Sequence, residues 1–288
     1  MKTVSLIAVH GMGRTEEKYA EDFFQEVEKR LGKVGNRLQF EAIYYQNLLQ
    51  PNEDRVWKQV GGRLRWDDLR KFVLFGFADA AGLESGKESP KSVYTLAQIE
   101  IARTLYRAGK ATQNGPVVLC AHSLGGQVVS NYFWDAGNFI ASAATPAKRP
   151  KFGFWADPVG FSEAVGSAKP LTKDELEFLA GRTLSRLITT GCNIPVFIAA
   201  HARDDILPFE RPNPAFSWHN YYDKDDVLGW PLEELSDAYG KMVKDYRVNA
   251  GSGVFGWVLK SWNPASHNEY WGDDEVLDPL IAHIRKLF

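Results

Sequence analysis

With only two cysteines in 288 residues, this chain is not a disulfide-stapled scaffold. Cys120 and Cys192 stand at the ends of apolar, strand-like runs. They read as small buried hydrophobes in a reduced, cytoplasmic protein, on neighbouring strands that would bring the thiols near each other. A net charge of -2, with no basic stripe interleaved with aromatics, excludes a nucleic-acid surface. No apolar run is long enough to span a bilayer, so stable membrane insertion is not expected. No His, Cys, Asp and Glu cluster has metal-ligand spacing, and no internal repeat occurs. Gly11-Met12-Gly13 lacks the residues that would complete a G-x-G-x-x-G or G-K-[ST] phosphate loop. The chain therefore calls for neither a metal nor a cofactor. Its start, MKTVSLIAVHGMG, carries one lysine and an apolar stretch too short for a signal peptide, and it reads as a strand.

What remains is an ordinary globular composition, 44% hydrophobic and 24% charged, of a length that suits one domain over residues 1–288. Strand-like and helix-like patterns alternate. Strands are expected at 4–9, 38–45, 117–120, 186–191, 194–200 and 216–222, with helices at 16–31, 92–106, 127–135 and 276–288. That rhythm predicts an α/β fold, a mostly parallel central sheet flanked by helices. Two stretches stand outside it, 50–90 and 138–170, both aromatic-rich. Long insertions of this kind form caps or lids over a site, unless an amphipathic face is simply packed on the sheet.

The most informative segment is Pro116-Val117-Val118-Leu119-Cys120-Ala121-His122-Ser123-Leu124-Gly125-Gly126. A β-branched apolar run stops at a serine, and a helical pattern starts at once. A strand, a sharp turn carrying serine and a helix make up a nucleophile elbow. The turn strains the serine backbone, so the residues two before and two after must be small, here Ala121 and Gly125. The helix N-terminus behind it favours negative charge. At the other end of the chain, Val4–Val9 is followed by His10-Gly11-Met12-Gly13. Glycines there allow close backbone approach, so the Met12 and Leu124 N–H groups are the candidate oxyanion donors. His10 is read as structural, orienting that loop.

A serine nucleophile needs a base and an acid. Of six histidines, His10 and His122 belong to the two turns, and His283 reads as a surface residue of the terminal helix. His267 lies in a proline-containing loop before that helix and is the candidate base. Two segments compete for the acid, each an acidic pair followed by aliphatics and proline. Strand counting favours Asp226, at the end of the strand 216–222, over Asp205 and Asp225. The bland alternative is that all three are turn-formers.

Taken together, His10-Gly11-Met12-Gly13, Ala121-His122-Ser123-Leu124-Gly125-Gly126, Thr190-Gly191-Cys192-Asn193-Ile194-Pro195, Asp225-Asp226-Val227-Leu228 and Ser266-His267-Asn268-Glu269-Tyr270 resemble the α/β-hydrolase superfamily. The likeness is to its lipase and esterase branches. Ala121 stands where Gly is usual, and Cys192 where lipases often carry Ser; neither removes a catalytic group. The resemblance implies an α/β-hydrolase fold with cap-like insertions and supports Asp226 over Asp205. It further implies a Ser123–His267–Asp226 triad that cleaves a small-molecule or lipid-like carboxylic ester through an acyl-enzyme. A thioesterase or acyltransferase on the same triad, or a binding protein that retains only the fold, are the competing expectations.

Overall fold

The computed structural model describes residues 1–13, 15–61, 67–84, 87–249 and 270–288. Six strands form one sheet in the order β2-β1-β3-β4-β5-β6. They are β1 (Val4–Val9), β2 (Leu38–Ile43), β3 (Val117–His122), β4 (Leu184–Thr190), β5 (Ser217–Asp223) and β6 (Val243–Val248), and every pairing is parallel. This is an α/β fold. β1 and β3 are buried along their whole length, which is why their sequences are continuous apolar runs and not alternations.

The chain leaves β1 toward β2, then crosses back over β1 to β3 and keeps going in the opposite direction. Right-handed crossovers running in opposite directions put their helices on opposite faces. Accordingly, α1 (Glu21–Leu31) and the terminal α9 (Asp274–Arg285) pack on one face, with a core that includes Leu6, Val118, Cys120 and Ile281. On the other face, α4 (Val93–Thr112) and α5 (Leu124–Ala141) enclose a core that includes Ile7, Leu119, Ala121 and Leu187, to which the short α6 (Lys173–Leu179) adds Phe178 and α8 (Asp237–Met242) adds Tyr239. The sense of the winding reverses between β1 and β3. The crevice beyond the carboxyl ends of two such strands is where open α/β sheets bind ligands.

Several expectations are corrected. Residues 194–200 are not a strand: Ile194–Ile198 is a short helix, α7, with Pro195 in its first turn. Proline's fixed φ suits that position, and the β-branched neighbours disguise it. β6 went unrecognised because an edge strand reading VKDYRV, largely exposed, has no apolar run to betray it. α4 extends to Thr112, beyond the expected end at residue 106, and is capped by Ser92 accepting from the Thr95 N–H. The two cysteines are buried and free but belong to the cores on opposite faces of the sheet, so they are not near neighbours. The reason is strand alternation: Cys120 points away from the face that Ala121 covers.

The two insertions differ. The stretch 50–90 takes in most of α2 (Gln46–Val60) and all of α3 (Asp67–Glu84). In 138–170, α5 continues to Ala141, and short turns then carry Phe154 and Trp155 into full burial against Tyr132. These aromatics are core.

The α5 glycines let the helix pass close beneath the β1 end. A Cβ at Gly125 would lie 2.5 Å from the His10 carbonyl oxygen and 3.0 Å from that of Val9. Gly125→Ala should therefore destabilise by about 1–3 kcal/mol through overpacking, whereas an unobstructed helix would gain up to about 1 kcal/mol from alanine. The sign of the change in denaturant unfolding decides between the two.

Candidate active site

Ser123 joins β3 directly to α5 and holds φ 52° and ψ -124°. A non-glycine residue there costs about 1–3 kcal/mol and persists only where its surroundings impose it. They do: the Ser123 N–H donates to the Thr190 carbonyl at 2.9 Å, and its carbonyl accepts from Gly126 N–H at 3.0 Å. The side chain is fully buried, and its Oγ has no hydrogen-bond partner among the described residues. A hydroxyl kept dry without a partner is costly, so the fold holds this oxygen ready for something else.

The His10–Gly13 loop comes against it. A Cβ at Gly11 would lie 2.7 Å from the Ser123 Cβ, so only glycine permits the approach. Leu124, as the first residue of α5, has an N–H with no acceptor inside the helix. The loops carrying Met12 and Leu124 thus border the serine from the two strands at the reversal point.

His10 is a structural part of this arrangement. Its Nδ1–H donates to the Gly11 carbonyl at 2.8 Å and its Nε2 accepts from the Tyr45 N–H at 3.2 Å, which defines the tautomer. The ring stacks on Tyr45 at 4.0 Å, and the Tyr45 hydroxyl donates to the His10 carbonyl at 2.8 Å. Burial pushes the imidazole down to about 4, only partly offset by the Gly11 carbonyl.

The three acid candidates separate clearly. Asp226 is buried in the turn after β5. Its Oδ1 accepts from Leu228 N–H at 2.9 Å and its Oδ2 from the Tyr270 hydroxyl at 2.8 Å. Tyr270 is itself oriented by accepting from Asp223 N–H at 2.9 Å. That turn is tied down by a polar network. Asn220 donates to Asp245 at 2.8 Å and to the Trp230 carbonyl at 3.0 Å, and Trp230 N–H donates to the Cys192 carbonyl at 3.0 Å. Asp225 is exposed beside it, and Asp205 is exposed on a separate turn, Arg203–Asp205. His267 lies outside the described residues. His283 is not a free surface group: it is half-buried, meets Ser185 Oγ at 3.1 Å, and is pushed down to about 4, chiefly by burial.

A cleft of about 780 Å³ runs beside α5. Phe77, Trp134, Phe152, Val196 and Leu207, all large apolar side chains left exposed, line it together. A narrower recess continues from it to Leu124, sharing the walls Tyr94, Gln127, Asn131 and Phe197. From Leu124 to Trp134 the helix rises roughly 15 Å at 1.5 Å per residue. An exposed apolar cluster in a concavity is a ligand-binding feature.

Sequence reasoning missed two residues that bear on this site, Glu53 and Asp79. The first sits in a polar helix and carries no signal. The second is a lone carboxylate inside the apolar run Phe75-Gly76-Phe77-Ala78-Asp79-Ala80-Ala81, which is the mark of a charge held for a reason. Among the described residues there is no group of three or more His, Cys, Asp or Glu side chains that could hold a metal ion, and no helix long and apolar enough to cross a membrane.

Two outcomes are expected. Tyr270→Phe strands the buried Asp223 N–H and takes one donor from Asp226. Unfolding free energy should fall by about 1–3 kcal/mol with an unchanged denaturant slope. Acid should also weaken the fold. His10, like His283, is held near 4 in the folded chain against an ordinary 6.5. As pH falls below 6.5 the unfolded chain takes up protons that the native state refuses, so stability is full above 6.5 and lost progressively toward 4. A urea midpoint that stays flat across that window would contradict it.

No protein-family model matches the chain, and no curated protein does. Among solved structures it is similar to an iodinated complex of acetyl xylan esterase, at 13% identity and a TM-score of 0.42, over 100% of both chains. A likeness this distant says nothing of substrate or mechanism for the present chain.

Proposed function

We propose that this protein is a serine hydrolase of the α/β-hydrolase type that cleaves carboxylic esters. The observation that carries the reading is Ser123: a strained, buried serine whose Oγ has no partner among the described residues, at the point where the sheet winding reverses, against a glycine loop and a helix N-terminus.

In this reading Ser123 Oγ attacks the acyl carbonyl while His267 takes its proton. Asp226, whose oxygens are already oriented by Leu228 and Tyr270, holds the imidazole tautomer and stabilises the imidazolium. The Met12 and Leu124 N–H groups receive the oxyanion of the tetrahedral intermediate, the helix dipole of α5 adding to them. Collapse of the intermediate expels the alcohol, which leaves with the proton from His267. Water, deprotonated by the same histidine, then attacks the acyl-enzyme, releases the acid and restores Ser123. The apolar cleft beside α5 supports a bulky, lipid-like or aromatic substituent on the ester.

A fluorophosphonate probe should label Ser123, as mapped by mass spectrometry, and both label and hydrolysis of p-nitrophenyl butyrate should vanish in Ser123→Ala. His267→Ala should lose the label too, with the melting temperature of each variant retained. Hydrolysis unchanged in Ser123→Ala would sink the assignment.

A further inference from the structure

Two carboxyl groups from the 50–90 insertion meet in the interior beside the glycine loop. Asp79 of α3 is fully buried and Glu53 of α2 is nearly so. Asp79 Oδ2 accepts the Gly13 N–H at 2.7 Å, a short bond to the residue next to Met12. One turn earlier on α3, Gly76 lies against the Met12 side chain: a Cβ there would be 2.7 Å from Met12 Sδ. α3 therefore grips the loop twice, by backbone and by side chain.

The remaining oxygens of the pair pose a problem. Glu53 Oε1, Glu53 Oε2 and Asp79 Oδ1 are buried and lack a close hydrogen-bond donor among the described residues. No described cation faces them. The groups that do are Gly13 N–H from the loop, the Gln46 side chain and the Asp54 carboxylate from α2, and the Tyr45 hydroxyl ahead of α2. Two buried carboxylates cannot both be ionised in such surroundings, and a single proton on Glu53, donated to Asp79, removes the difficulty. Burial first, and Asp79 second, push the Glu53 carboxyl up to about 9; burial raises Asp79 as well.

We propose that Asp79 is a positioning residue for the hydrolysis assigned above, holding the Met12 amide toward Ser123, and that it does so only while the Glu53–Asp79 pair shares one proton. The inference rests on the serine hydrolase reading and extends it to a control of the same site. Loss of the shared proton places two like charges between α2 and α3. The cheapest relief is separation of the helices, which draws Gly13 and Met12 away from the serine. The effect falls on transition-state stabilisation, hence on kcat more than on KM.

The test uses the full chain, p-nitrophenyl butyrate and a fluorophosphonate probe to count active sites. Asp79→Ala should lower kcat per active site by about 10²–10³, as loss of one oxyanion donor does, with KM little changed. Asp79→Asn keeps an oxygen for Gly13 and should recover most of that loss. Wild-type kcat should fall as pH rises through about 9. In Glu53→Gln, whose amide is a permanent donor to Asp79, that alkaline fall should disappear. The proton itself is visible as an infrared protonated-carboxyl band near neutral pH, absent in Glu53→Gln. Should wild type take the label on Ser123 and hydrolyse the ester, an unaltered alkaline limb in Glu53→Gln or an unaltered kcat in Asp79→Ala overturns the positioning role alone. Folded wild type that takes no label overturns the hydrolase reading, and the positioning role with it.

Discussion

Gly11 and Ser123 are in contact because β1 and β3 are parallel neighbours with Val9 opposite Ala121. Both strands end at the same level, so the turn that follows each one must share a small space. That steric constraint governs the neighbourhood. It demands glycine at 11, places the carbonyls of Val9 and His10 over Gly125, and forces Ser123 into a left-handed backbone. The serine conformation costs free energy that the surrounding sheet and helix offset through burial, and the result is a hydroxyl whose position has little freedom.

A second theme is that polar groups near the sheet's carboxyl edge are spent on holding loops. His10 and Tyr45 lock the first turn, the Thr190 carbonyl and Gly126 N–H lock the second, and Asn220, Asp245, Trp230 and Tyr270 lock the third. All but Trp230 are buried or half-buried, where a hydrogen bond left unmade is expensive and the loop has few alternatives. Among the buried polar atoms without a partner in the described residues are the Ser123 hydroxyl and the carboxyl oxygens of Glu53 and Asp79, on either side of the glycine loop, and such departures call for a physical reason.

The insertion α2–α3 joins these themes. It contributes Phe77 to the apolar cleft and Asp79 to the glycine loop from one helix, so a cleft wall and the loop geometry are carried by the same element. Movement of α3 would be felt at both places. The cleft itself follows α5 outward from Ser123, and its far wall comes from loops and from α3.

The sheet, its parallel character and the serine elbow were legible in the sequence because they rest on local rules. Buried parallel strands read as apolar runs, and a strained turn needs small residues at fixed offsets. The expectation of an acid at Asp226 rests on counting strands and on the lipase-like Asp-Val-Leu piece, and the count includes a strand at 194–200 that is a helix. The loop after β5 is nonetheless reached, because Trp218, Tyr221 and Tyr222 mark β5 as a strand despite its polar residues. The edge strand β6, the opposite facing of the two cysteines and the partial burial of His283 were not legible, since each depends on which element covers which face. The Glu53–Asp79 pair is the extreme case. Its members are 26 positions apart on different helices, and nothing local distinguishes Glu53 from a solvated glutamate. The sequence by itself determined most of the elements and the serine turn. Only tertiary packing decided which side chains lose their water, and with that which carboxyls must share a proton.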